Sequence, residues 1–172
     1  SSLATDKVLQ LSTTSAILSE ANFFREDLFS SSVFGCNGDY DTCYSGDTYV
    51  AYCFHSVDGY SKVGSWVGNG STDGTFIYTG FRPAMIIWKV STDVESWGIF
   101  DNVRDPDNRV GQRLHPESTS AESTASPTTG WQMDFTSNGF KWRGDTMAGN
   151  YDGETYIYLA FAETPFKYAN AR

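Results

Sequence analysis

The stretch that decides the fold is GDTYVAYCFHS, residues 46–56, which returns near the end of the chain as GETYIYLAFAE, residues 153–163. Each copy opens with Gly, an acidic residue, Thr and Tyr, and then continues almost without charge. Successive side chains on a β-strand point to opposite faces, and here both faces are apolar. The pattern therefore predicts two central strands, each covered on both sides by a core or by a second subunit.

Composition limits the class of protein. The chain has 172 residues, of which 40% are hydrophobic and 16% aromatic, with 16 Gly among many Ser and Thr. This profile is typical of a single all-β domain with many turns. The net charge of −9 without a basic cluster argues against a nucleic-acid partner. No run of about 18 apolar residues is present, so we expect no membrane insertion.

Short apolar segments separated by Gly, Asn and Asp turns predict further strands. We expect strands at 7–11, 30–36, 48–55, 61–67, 76–78, 81–90, 96–101, 132–135, 139–142 and 155–162. Residues 115–130 contain no large apolar side chain and are expected to form an exposed loop. The count and spacing predict an all-β fold, an antiparallel β-sandwich of jelly-roll type with an internal repeat.

The repeat suggests how the chain is organised. Residues 1–56 correspond to the C-terminal half of one unit, and residues 57–172 to a complete second unit. Either the rest of the first unit lies upstream of this sequence, or the half-unit completes a fold with the second. We expect the two parts to pack as one domain.

An ordered set of motifs then resembles a known family. GYSKVGSWVGNGSTDGTFIYTGFRPAMIIWKV is followed by WGIFDNVRDP, by SNGFKWRGD and by GETYIYLAFAETPFKYANAR. This succession resembles a repeat found in tail-fibre and related structural proteins of marine bacteriophages, and it covers the chain from about residue 6. Two features depart from the family pattern: Trp88-Lys89 replaces Ile-Lys, and the loop between Cys36 and Cys43 has no counterpart.

The resemblance implies a virion protein located on the phage tail or capsid surface. It implies a distal tail-fibre domain that binds a host cell-surface receptor or glycan, that forms a homotrimer, and that contacts other virion proteins. The alternative is a purely structural virion module, such as a capsid decoration or fibre-joining domain, without a receptor site.

No motif predicts catalysis. The chain has two His, no G-x-S-x-G elbow and no His or Cys spacing typical of a metal site. Most acidic residues stand beside Gly, Asn or Ser, which indicates solvated turns. We therefore expect no enzyme, no catalytic residue and no cofactor. A glycan-degrading enzyme is a third hypothesis, which would need two carboxylates facing each other at roughly 5 to 9.5 Å.

Two loops cluster acidic side chains whose oxygen atoms suit calcium: Asp39, Asp41, Asp101, Asp105 and Asp107. Neither loop has the spacing of an EF-hand. Neighbouring arginines can pair with the second group, so capped turns and ion pairs are favoured over a structural calcium site.

Sugar binding needs an exposed aromatic ring beside planar polar groups. Trp142, Arg143 and Asp145 offer this set at the entrance to a loop, and Tyr40 with Asp39 offers it at the equivalent place in the first copy. These five residues are the candidate ligand contacts. The alternative for Trp142 is packing in the core.

Three cysteines are present. Cys36 and Cys43 flank the loop NGDYDT and could close it as a disulfide, although reduced thiols are equally compatible with the spacing. Cys53 falls in the first copy of the repeated stretch, where a small buried apolar side chain is expected.

Overall fold

The structure is a computed structural model, and it describes residues 7–19, 23–38, 41–126 and 130–164. Over these residues the chain is all-β, with antiparallel strands, one short 3-10 turn at Glu26–Leu28 and no α-helix. None of the described residues belongs to a helix able to cross a membrane.

Thirteen strands are present in the described ranges. In chain order they are β1 (Lys7–Val8), β2 (Leu18–Ser19), β3 (Phe24–Arg25), β4 (Gly35–Cys36), β5 (Ser61–Val67), β6 (Phe76–Tyr78), β7 (Pro83–Val90), β8 (Gly98–Asp101), β9 (Gln112–Arg113), β10 (Ser123–Thr124), β11 (Met133–Thr136), β12 (Gly139–Trp142) and β13 (Thr155–Ala162). The strands predicted at 61–67, 76–78, 139–142 and 155–162 are confirmed at these bounds. The loop predicted at 115–130 contains the short strand β10.

Two sheets carry most of the structure. The larger has the order β5-β13-β7-β8 and the smaller the order β11-β12-β6, with every neighbour antiparallel. Strand β13 is central, because it pairs along its length with β5 on one side and with β7 on the other. Its inward side chains Tyr156, Tyr158 and Ala160 are buried, whereas the outward Ile157 and Leu159 are half-buried.

The inward faces of the two sheets share one aromatic core. Trp66 of the larger sheet stacks on Tyr156, with ring centroids 5.0 Å apart, and meets Phe140 of the smaller sheet edge-on at 5.7 Å. Trp88 meets Trp142 edge-on at 5.4 Å. Among the described residues, every member of this core lies between Trp66 and Ala162. The described residues that precede Trp66 therefore contribute nothing to it.

The turn that precedes β13 is tied into this core. Trp88 donates its indole N–H to the Ala148 carbonyl at 2.6 Å, and Trp66 donates to the Gly149 carbonyl at 2.9 Å. The Tyr156 hydroxyl donates to Met147 at 2.9 Å. A Cβ atom on Gly149 would lie 2.1 Å from the Trp142 ring, so the close packing of ring on backbone requires glycine there.

Asn150 completes the attachment of this turn. It is 1% exposed, and its amide nitrogen lies within 2.9 Å of oxygen atoms on Asn69, Ser71 and Gly144. Its amide oxygen accepts from the Asn69 N–H at 3.2 Å. One side chain thus joins the turn to the loop that follows β5.

The structure differs from expectation in the first copy of the repeated stretch. Residues 48–55 were predicted to form a central strand, but they form no strand and are exposed. Cys53, predicted to be buried, is an exposed free thiol. The physical reason is a lack of partners: β13 lies between β5 and β7, and no described strand flanks residues 48–56.

We expect Asn150→Ala to lower the free energy of unfolding by about 2–3 kcal/mol, because the buried Asn150 amide loses its hydrogen bonds to three other residues. Denaturant unfolding followed by tryptophan fluorescence measures the change. The matched control is Asn102→Ala, whose side chain bonds Glu163 at the surface and which should change stability by less than about 0.5 kcal/mol. Equal effects of the two substitutions would contradict the structural role of Asn150.

Candidate functional site

Large exposed apolar side chains concentrate in one part of the chain. Nine of them lie between residues 28 and 54: Leu28, Phe29, Val33, Phe34, Tyr44, Tyr49, Val50, Tyr52 and Phe54. Val50 is 76% exposed and Tyr52 81%, which are high values for side chains of this type. A concentration of this kind, unlike scattered apolar residues, marks an interaction surface.

Six of these nine side chains line an apolar groove of about 710 Å³: Phe29, Phe34, Tyr49, Val50, Tyr52 and Phe54. One wall is residues 49–54, here named the apolar strip. The opposite wall contains Phe24, Phe29 and Phe34, which pack edge-on with centroids 5.9 and 6.4 Å apart. The groove has the volume of a small-ligand site, and its lining is predominantly aromatic and aliphatic.

A disulfide lies in the wall of the groove. Cys36 and Cys43 are joined at an S–S distance of 2.03 Å, with their Cα atoms 5.9 Å apart. Cys36 also pairs with Phe24 across the two-stranded sheet β3–β4. The disulfide therefore ties the loop after β4 to the hairpin that supplies the phenylalanine rings.

The apolar strip is joined to β5 at its C-terminal end, and at its other end the Tyr49 hydroxyl accepts from the Tyr44 N–H at 3.1 Å. Val57 exchanges two backbone hydrogen bonds with Ser61, which begins a hairpin with β5. The Ser56 hydroxyl then accepts from the Val63 N–H at 3.1 Å, so the hairpin ladder does not continue. Phe54 touches Phe161 edge-on at 6.0 Å. Within the described ranges, the backbone groups of residues 50–54 form no hydrogen bond.

The predicted sugar-binding residues do not form a shared surface. Trp142 is 0% exposed and packs in the core, which is the alternative set out for it above. Arg143 is held by Asp134, with Nε 2.5 Å from Oδ2, and lies 3.4 Å from Asp73. Asp145 is exposed. Asp39 and Tyr40 lie outside the described residues.

The acidic loop at 101–107 is organised by its own hydrogen bonds. Asp101 accepts from the Arg104 backbone N–H at 2.8 Å and from the Arg104 guanidinium at 2.6 Å. Asp105 caps the backbone N–H groups of Gly111 and Gln112 at 2.7 and 3.2 Å. Among the described residues no group of three or more His, Cys, Asp or Glu could hold a metal ion. Capped turns and an ion pair account for this loop.

A buried polar network begins at the end of β9 and extends into residues 115–130, which were predicted to form an exposed loop. Arg113 is 1% exposed, donates to the Ser96 carbonyl at 2.5 Å and lies over the rings of Trp88 and Trp131 at 5.6 and 5.5 Å. His115 bonds the Ser123 hydroxyl through Nε2. The sequence did contain a signal for this network. Arg113, His115 and Glu117 are spaced two residues apart, which places their side chains on one face of an extended segment.

This network has the residue types of a hydrolase triad without its geometry. His115 Nδ1 lies 4.0 Å from Glu117 Oε1, beyond hydrogen-bond reach, and neither atom has a hydrogen-bond partner. The Glu117 side chain is 5% exposed. The apolar groove described above is lined by other residues. The hydrogen bonds of the polar network join β9, β10 and the 95–97 segment, so the network holds these three parts of the fold together.

Charges in the network alter one another's protonation. Burial lowers the pKa of Lys89, next to this network, to about 8, although Glu95, Glu117 and Asp93 oppose the change. Burial, followed by the positive charge of Arg113, lowers the pKa of His115 below its usual value, against the opposing effect of Glu117 and Glu95. The folded protein therefore favours neutral His115.

We expect stability to fall as the pH drops below about 6.5, the usual pKa of His in an unfolded chain. The unfolded chain takes up a proton that folded His115 resists, so the free energy of unfolding decreases with decreasing pH. His115→Gln should flatten this decrease in denaturant titrations at successive pH values. His55→Gln removes the other histidine, which is exposed, and is the matched control. If the free energy of unfolding changes equally with pH in the wild type and in His115→Gln, the pH dependence does not come from His115.

Comparison with known proteins identifies the family of this chain but assigns it no activity. No curated protein and no solved structure matches the chain. A family described as a domain of unknown function, DUF7483, matches residues 1–165. The match spans both sheets, the groove and the buried polar network, and on this basis the chain belongs to the DUF7483 family.

Proposed function

We propose that this chain is a bacteriophage virion protein, and that it forms the distal domain of a tail fibre that attaches the particle to its host. It works by binding and not by chemistry, as a homotrimer. The ordered sequence motifs that resemble tail-fibre repeats support the virion role. The observation that carries a binding role is the concentration of nine exposed apolar side chains between residues 28 and 54.

We further propose that the fold is a β-sandwich of jelly-roll type with an internal repeat. Two antiparallel sheets whose inward side chains share one core support the sandwich. The likeness between residues 46–56 and 153–163 supports the repeat, with the first copy lacking the flanking strands that β13 has.

A second candidate is a purely structural virion module without a receptor site. One observation favours it: two of the predicted sugar contacts are engaged elsewhere, because Trp142 is buried and Arg143 is ion-paired. In this case the exposed apolar surface serves assembly alone.

The test is binding of the fluorescently labelled chain to a panel of marine bacterial isolates, after light scattering has established its oligomeric state. We expect a trimer that labels some isolates and is displaced by unlabelled protein, since several weak contacts presented together give avidity. A trimer that labels none would favour the structural module over host attachment.

Asp145→Ala tests the one predicted sugar contact that is described and exposed. Loss of a charged hydrogen-bond acceptor should weaken cell binding about tenfold, if Asp145 contacts the receptor. Asp152→Ala, another exposed acidic residue in a turn, is the matched control and should bind as the wild type does. Equal binding by all three proteins would remove Asp145 from the site.

A further inference from the structure

The exposed apolar surface is larger than a monomer ordinarily carries. Its side chains, at exposures between 42% and 81%, leave on the order of 1,000 Å² of surface in water. The largest apolar patch on a typical monomer is about 300–600 Å². A standard protein interface buries about 800 Å² on each partner. The surface between residues 28 and 54 is therefore large enough for a stable protein–protein contact.

The apolar strip also exposes backbone that needs a partner. Residues 50–54 make no backbone hydrogen bond within the described ranges, and their side chains are apolar on both faces. An unpaired segment of this kind is a template for pairing with another chain. Its sequence resembles that of β13, which pairs with β5 on one side and with β7 on the other. The strip thus has the pattern of a strand that is flanked by two others.

The distribution of charge favours a second copy as that partner. The chain carries a net charge of −9, so two copies repel each other over most of their surface. The strip has no charged residue, and the groove lining contains one cation, Lys7, and one anion, Asp41. Two identical chains can therefore approach at this surface without like-charge repulsion.

We propose that this surface joins copies of the chain: the apolar strip of each copy packs into the groove of the next copy. Strip and opposite groove wall are different surfaces of one chain, so the contact is head-to-tail and can close as a ring of three. Tyr52, the most exposed of the large side chains within the strip, is the anchor. The inference rests on the proposed function, for which it supplies the interface between subunits.

Tyr52→Glu tests the interface, because it places a charge where the strip of one copy enters the groove of the next. Light scattering should give an oligomer for the wild type, and for the variant the mass of a single chain at concentrations at least tenfold higher. Val103→Glu is the matched control, since Val103 is 84% exposed in a polar turn on another part of the chain, and it should remain an oligomer. Unchanged near-ultraviolet circular dichroism verifies folding, because Trp66, Trp88 and Trp142 lie in a core that does not include the strip.

A second measurement follows the strip directly. Backbone amides of residues 49–54 should exchange slowly in the wild-type oligomer and rapidly in Tyr52→Glu. Cys53, exposed in a single chain, should likewise resist alkylation in the oligomer. A wild type that remains a single chain, or a Tyr52→Glu variant that remains an oligomer, would overturn the proposal.

The two hypotheses fail separately. An oligomer that does not label cells refutes host attachment and leaves the interface intact. A single chain that labels cells overturns the interface and retains host attachment, and loss of that labelling in Tyr52→Glu would assign the apolar surface to a host partner instead.

Discussion

The structure depends on hydrogen bonds between buried indole N–H groups and one turn. Trp66 and Trp88 bury their rings in the core and need acceptors for their N–H groups, and the carbonyls of Gly149 and Ala148 provide them. The carbonyl groups of this turn also need hydrogen-bond donors, because no strand pairs with them. The turn also places Asn150 where it can hold the loop after β5. Core packing and loop position are consequently determined together.

This arrangement explains why the core excludes the described residues of the first third of the chain. Strand β13 enters directly after the turn, receives β5 and β7 on its two edges, and aligns Tyr156 and Tyr158 with Trp66 and Trp88. The space between the sheets is then filled by aromatic rings. The earlier copy of the β13 sequence remains outside with its apolar side chains exposed. The same residue pattern therefore has two environments, as expected when strand formation depends on neighbouring strands more than on intrinsic preference.

Charged side chains are also divided between a buried group and the exposed surface. Arg113, Lys89 and the Glu117 side chain are buried at one end of the larger sheet, where Arg113 and Lys89 donate to backbone carbonyls of residues 90–97. Exposed acidic residues account for the net negative charge over much of the surface. The apolar strip is uncharged. A surface of this kind restricts close approach between like copies to the region around the strip and its groove.

The sequence by itself determined the fold class and most strands of the two sheets. Alternation at 61–67 and 155–162, and the apolar run ending at Val90, are local signals that do not depend on the rest of the chain. It offered a disulfide between Cys36 and Cys43 as one alternative to reduced thiols. It could not locate the site, because exposure depends on which strands a segment meets. Only the tertiary structure decided that residues 48–55 form no strand, that Trp142 is buried, and that Arg113 and His115 join a buried network. Burial is a property of the neighbours that packing brings together, and those neighbours are distant in sequence.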